Sequence, residues 1–449
     1  MSPQRTLELR KEELRRRVDA LPSELGAWQK RAHDDLDSQL HFSQLQAIGV
    51  LMETFTGQQK TLLAALDPNG NADQFLTSTV ELVKNIIRSQ ELWDFFRDKL
   101  DLRFSPTFKE VLWVADTVAW NCYRPVLDLA AGLGIIPAPE LREPPLTYLT
   151  AEFSAATWWR GSRPDHHWVS SSLPIPVIEL PWDHVENIWE FLSLCHEVGH
   201  DLEFDLKLRE PLTASLRGAL QAGAVPDDRL ELWLKWQAEV FADLVGLQLG
   251  GPFFTETLMH LLILPKPMVT ALNLTDTHPP HYLRILMNAA YIPRLIKNYS
   301  PLENHGAQIA GRWVAIYGQQ PQFSKFEEDF PMVFEALMDT PLTALGGNKV
   351  RELMPYKEAD DKRIRGAVDY LLTGENKPAK LEPRHCISAA RLALTQAAQA
   401  GSVTDAVLNH INQKTMELVR NNAVGGLRGG DGSTPHKQFI ASFVDKWNP

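Results

Sequence analysis

The chain has 449 residues, 44% of them hydrophobic and 9% aromatic, and a formal net charge of -11 at pH 7. That much apolar material excludes a disordered chain and is enough for two or three packed units. The acidic balance excludes a broad nucleic-acid surface, which needs clustered Lys and Arg, so no nucleic-acid partner is expected.

The N-terminus is polar from its first residues and carries one basic cluster (Arg10, Lys11, Arg15, Arg16, Arg17). Glu8, Glu12 and Glu13 interleave with it, as on a solvated helix face. No signal-peptide stretch opens the chain, and no run of about 18 apolar residues follows, so no membrane span is expected. Three scattered cysteines, Cys122, Cys195 and Cys386, give no disulfide framework and suit a reducing compartment. The expected address is cytoplasmic.

Residues 1–135 form an N-terminal helical region. Leu36, Leu40, Leu45, Ile48, Leu51, Met52 and Phe55 recur at three- and four-residue steps, and turn signals at Asp67-Pro68-Asn69-Gly70 and Ser105-Pro106 divide a bundle of about four helices. A proline-rich stretch from Ile136 to Pro145 leads into a central unit, 136–300. Thr147–Phe153 and Ile175–Pro181 are its strand candidates. Proline at both ends of the second predicts an edge strand, whose free edge would take a substrate as an added strand.

Asp183 with Glu186 reads as a capping box opening a helix that runs through His196-Glu197-Val198-Gly199-His200. A second helix is expected over about 228–249, stopped by Gly250-Gly251-Pro252. Helices follow at 280–298, 302–317, 327–338, 360–373, 384–399 and 403–421, the region 301–449 being C-terminal and helical. The glycine-rich segment 425–432 is expected to be a loop. The fold class is therefore mainly α: a helical core with a small β-sheet, flanked by helical regions.

Residues four apart on a helix share a face, with Cβ atoms roughly 5–6 Å apart. His196 and His200 can thus aim at one zinc ion, with Glu197 beside it to take a proton from water. Two imidazoles do not make a catalytic zinc site; three protein ligands plus water do. On the apolar helix that follows, Glu239 supplies the third ligand and Asp243 an acceptor that orients a ligand histidine. Further on, Thr277-His278-Pro279-Pro280-His281-Tyr282-Leu283-Arg284 starts a helix at a rigid point. His278 there is placed to donate to the oxyanion of a peptide under attack, with His281 and Tyr282 as alternatives. Arg284 is placed to pair with a carboxylate of the site, as a structural ion pair or in support of catalysis.

HEVGH, then EVFAD, then HPPHYLRI together resemble the gluzincin zinc metallopeptidases, and within them the family of CAAX prenyl endopeptidases and the bacterial heat-shock membrane metallopeptidase. The likeness covers about 183–290, roughly a quarter of the chain. It implies a gluzincin-like core holding one zinc per chain, with His196, His200 and Glu239 as ligands and Glu197 as general base. It also implies Asp243 behind a ligand, and His278 and Arg284 supporting substrate or transition state. The expected activity is endopeptidase cleavage of a protein or peptide substrate. The alternative is a regulatory or scaffold protein with a degenerate or single-substrate site and a regulatory protein partner. The chain departs from those relatives in having no membrane-spanning stretch. His166, His167, Cys195, Trp158, Trp159 and Trp182 read as exposed or packing residues.

Overall fold

The computed structural model describes residues 1–35, 38–136, 143–162, 172–423, 437, 438 and 441. His166, His167 and the segment 425–432 lie outside them. The protein is mainly α-helical with one small sheet.

Four long helices come first: α1 (Pro3–Asp35), α2 (Ser38–Ala65), α3 (Ala72–Asp101) and α4 (Lys109–Gly132). Asn71 caps α3, its side chain accepting from the backbone N–H groups of Asp73 and Gln74. Leu14 and Val18 of α1 pack with Phe75 and Leu82 of α3 at one end of this bundle. Nearer the sheet, Trp28 meets Trp93 edge to face, their centroids 5.6 Å apart.

The sheet consists of β1 (Leu146–Thr150), β2 (Ala156–Trp158) and β3 (Val177–Pro181), in the order β1-β3-β2. The segment expected at an edge is therefore the central strand: β3 pairs parallel with β1 and antiparallel with β2. Its prolines interrupt nothing, because Pro181 ends the ladder and Pro176 contributes only its carbonyl, which accepts from Leu146 N–H. The edge beside it is β2, which the sequence reading missed because three residues show too little alternation.

Alternate residues of the strands enter different cores. Leu146, Tyr148 and Val177 pack with Leu92 and Phe96 of α3, whereas Leu149, Ile178 and Leu180 belong to the large core that extends from Val111 of α4 to Val419. The sheet is thus buried between the first three helices and the remainder of the molecule.

After β3 the chain makes two 3-10 turns, Trp182–Val185 and Ile188–Leu192, before α5 (Ser193–Asp205). The helix expected from Asp183 starts ten residues later. No side-chain cap forms at the first turn, and Asn187, at φ -128° and ψ 64°, breaks the helical path. Next come α6 (Arg209–Ala222), α7 (Asp227–Gly250), α8 (Pro252–Leu261), α9 (Lys266–Thr270), α10 (His281–Leu295), α11 (Ser300–Tyr317) and α12 (Ser324–Phe334). The chain closes with α13 (Val350–Leu353), α14 (Glu358–Gly366), α15 (Val368–Thr373), α16 (Pro383–Gln399) and α17 (Asp405–Asn422). Gly251, at φ +66°, makes the turn out of α7, where a Cβ would meet the Tyr356 ring at 2.5 Å.

The close contact that matters most joins α5 to α7. A Cβ at Gly199 would lie 2.9 Å from Ala242 Cα and 3.2 Å from Val245 Cβ. Any larger residue forces the helices apart, so glycine sets the spacing at which their polar side chains meet.

Candidate metal centre

His196 and His200 lie one helical turn apart on α5, and Glu239 faces them from α7. The two Nε2 atoms are 3.2 Å apart. Glu239 Oε2 lies 3.3 Å from His196 Nε2, and Oε1 lies 3.5 Å from His200 Nε2. Bonds of about 2.0–2.1 Å in a tetrahedral site place neighbouring donors about 3.3 Å apart, so these separations fit such a cation. Among the described residues no other group of three His, Cys, Asp or Glu side chains converges in this way.

The polar accounting also leaves room for a ligand. Glu239 Oε2 is buried and makes no hydrogen bond, although His278 Nε2 stands 3.1 Å away and Arg284 Nη2 3.9 Å away. A buried carboxylate oxygen with unused lone pairs is costly unless something binds it.

Behind His196 the carboxylate of Asp243 is saturated. His196 Nδ1 approaches Oδ1 at 2.8 Å. Arg284 donates from Nε and Nη2 at 2.6 and 2.8 Å, and Asn288 Nδ2 adds a bond of 3.0 Å. This arrangement turns His196 so that Nε2 faces Glu239 and His200. Arg284, 6% exposed, thus clamps Asp243 and lies against the His196 ring, its Nη2 3.4 Å from Nδ1. Asn288 was missed in the sequence, though its four-residue step from Arg284 places it on the same face of α10. Phe254 of α8 lies parallel to the His196 ring, with centroids 6.4 Å apart, and no sequence motif marked it.

His278 is half exposed at the mouth of the site, in the loop before α10. Asp276 holds it by accepting from its backbone N–H at 2.9 Å, with Nδ1 at 3.2 Å. Tyr282 points away, stacked on Phe323 with centroids 5.7 Å apart, and His281 is half-buried. Cys195 faces Cys122 in the core at 3.6 Å between sulfurs. Trp182 packs edge to face on Phe108, and Trp159 is exposed.

The charges follow from burial and neighbours. Burial lifts Glu197 to about 7, against the pull of the His196 charge. Burial works against a charged His196, but Asp243 and Glu239 outweigh it and bring the ring to about 10. Burial and the adjacent His196 push His200 down to about 3. Burial alone would raise Glu239 and Asp243, yet the facing imidazoles hold the first, and Arg284 with His196 the second, well below the usual carboxylate range.

The geometry thus brings His196, Glu197, His200, Glu239, Asp243, His278 and Arg284 to one place. Thr157 Oγ1 of β2 donates to Asp201 Oδ1 at 3.1 Å, tying the edge strand to α5. Comparison with known protein families, with curated proteins and with solved structures gave no match.

Proposed function

We propose that this protein is a zinc-dependent endopeptidase of the gluzincin type. The observation that carries the reading is the convergence of His196, His200 and Glu239 at metal-ligand separations, with Asp243 orienting the first. Zinc held by these three would supply a Lewis acid that polarises the scissile carbonyl and acidifies water. Glu197 takes the proton of the attacking water on its carboxylate and returns it to the leaving amine. A carboxylate held beside the metal ligands can do both. His278, half exposed and held by Asp276, donates from Nε2 to the developing oxyanion. The substrate strand adds to β2, the edge anchored to α5, rather than to 175–180.

The family resemblance of the three motifs supports this reading. No helix among the described residues is long and apolar enough to cross a membrane. Membrane substrates are therefore not carried over from the resemblance, and three buried free cysteines fit the cytoplasm. A scaffold or regulatory role keeps one support: Leu76, Val80 and Ile87 are exposed on one face of α3, where a partner helix would pack.

Glu197→Gln separates the readings. The variant should bind one zinc per chain like the native protein and lose peptide cleavage by about 10²–10⁴-fold, the range for a removed general base. Unchanged turnover would refute the assignment. A native protein that takes up no zinc on reconstitution would favour the scaffold.

A further inference from the structure

A groove of about 930 Å³ runs between the first half of α7, the loop before α10 and the start of α12; no metal-centre residue lines it, and its nearest lining residue on α7, Lys235, lies one helical turn before Glu239. Asp228, Leu232 and Lys235 of α7 line it. They recur at the helical step that continues to Glu239, so one face of α7 carries both the groove and a metal donor. Leu272 and Leu274 form the opposite wall, 40% and 62% exposed, and the same loop continues to His278. The two walls converge where His278 Nε2 meets Glu239 Oε2 at 3.1 Å.

From Asp228 to Glu239 the helix rises about 16 Å, room for about five residues of extended peptide. The charges lining the groove are mostly matched. Arg229 is held by Asp329, Lys325 by Glu328, and Glu231 by Arg217. Two are not matched among the described residues: Asp228, whose carboxylate accepts only from the backbone N–H of Arg229, and Lys235. The Lys235 ammonium donates to Leu274 O at 2.8 Å and has no acidic partner among the described residues, leaving two N–H donors for a ligand. It sits about 6 Å from Glu239 along the helix, the length of about two extended residues. The groove continues beyond Lys235, so the chain it accepts continues as well.

We propose that this groove binds one arm of the substrate, an extended apolar segment whose acidic side chain, within about two residues of the scissile bond, pairs with Lys235. The proposal rests on the peptidase reading and supplies its substrate class.

The test uses the full chain loaded with zinc and quenched fluorescent nonapeptides of Leu and Ala. A single Glu, Gln or Lys is moved through the positions. Glu should be preferred at a position near the cut by about fivefold in kcat/KM, the scale of one partly exposed ion pair. Lys235→Glu, at an exposed position, should move that preference to Lys. Leu274→Asp should raise KM for the Leu-rich peptides. In parallel, fluorescein-labelled Glu and Lys peptides are titrated onto zinc-loaded Glu197→Gln protein and followed by anisotropy. Cleavage without an acid preference, or with one that Lys235→Glu leaves in place, overturns the groove and leaves the peptidase standing. Binding that follows Lys235 without any cleavage by the native chain supports the groove and overturns the peptidase. If peptides are neither cut nor bound, both fall.

Discussion

Two carboxylates, the half-buried Glu239 and the buried Glu256, sit among imidazoles and guanidinium groups a short way apart in the sequence, yet they are finished differently. Glu256, on α8, has both oxygens in use: His305 Nε2 at 3.0 Å and Arg312 Nη2 at 2.8 Å on Oε1, and Thr395 Oγ1 at 2.7 Å on Oε2. Glu239 has an oxygen without a hydrogen bond and two imidazole nitrogens aimed at the same point. A saturated cluster of this kind joins α8, α11 and α16 and needs nothing further. An unsaturated one has lone pairs left over for a ligand.

Substitutions can break the contrast in either direction. Glu239→Gln removes a proposed ligand and should weaken zinc binding by more than about a hundredfold, read by competition with a chelating dye, while the metal-free fold persists. Glu256→Gln should leave zinc affinity unchanged and lower stability instead. Burial raises the Glu256 carboxyl, but His305, Thr395 and Arg312 outweigh it and bring it to about 2, from 4.5 unfolded. A carboxylate so depressed adds stability that is fully present above pH 4.5 and lost as pH falls through 2. Its contribution at neutral pH is on the order of 3 kcal/mol. Urea titrations across that window should show a shallower acid loss in the variant.

Gly199→Ala tests the scaffold under the site. The added methyl meets Ala242 Cα, so we expect a loss of about 2 kcal/mol, in the range for overpacked cores, and weaker zinc binding in the same protein. Normal zinc affinity would show that the spacing of α5 and α7 is not what holds the donors. Asn288→Ala, which removes one of the bonds to Asp243, should cost about tenfold in zinc affinity. No change there would mean that Arg284 alone fixes the carboxylate.

The convergence of the candidate side chains was more legible in the sequence than the order of the sheet beside them. HEVGH, EVFAD and the HPPHYLR turn each encode geometry through spacing along a helix or into its first turn. The structure brings their side chains together from α5, α7 and the start of α10. The long helices, including the stop at Gly250-Gly251-Pro252, were readable for the same reason. The sheet was not, because strand order is decided by tertiary pairing, and flanking prolines at Pro176 and Pro181 proved compatible with a central strand. The Asp183 pattern misled because a capping box is a local option that the turn at Asn187 overrides. α8 escaped notice because it is only 10 residues long and follows directly on the Gly250-Gly251-Pro252 stop.

The division of the sheet between two cores has a mechanical meaning. Neighbouring residues of β3 are gripped from opposite sides, Val177 by the first three helices and Ile178 by the core that contains α5. Through Thr157 the next strand is fastened to Asp201, directly after His200. A continuous set of contacts therefore joins the N-terminal helices to the turn of helix that bears His196 and His200. A partner seated on that bundle would press, through the sheet, on the helix that carries the candidate metal ligands.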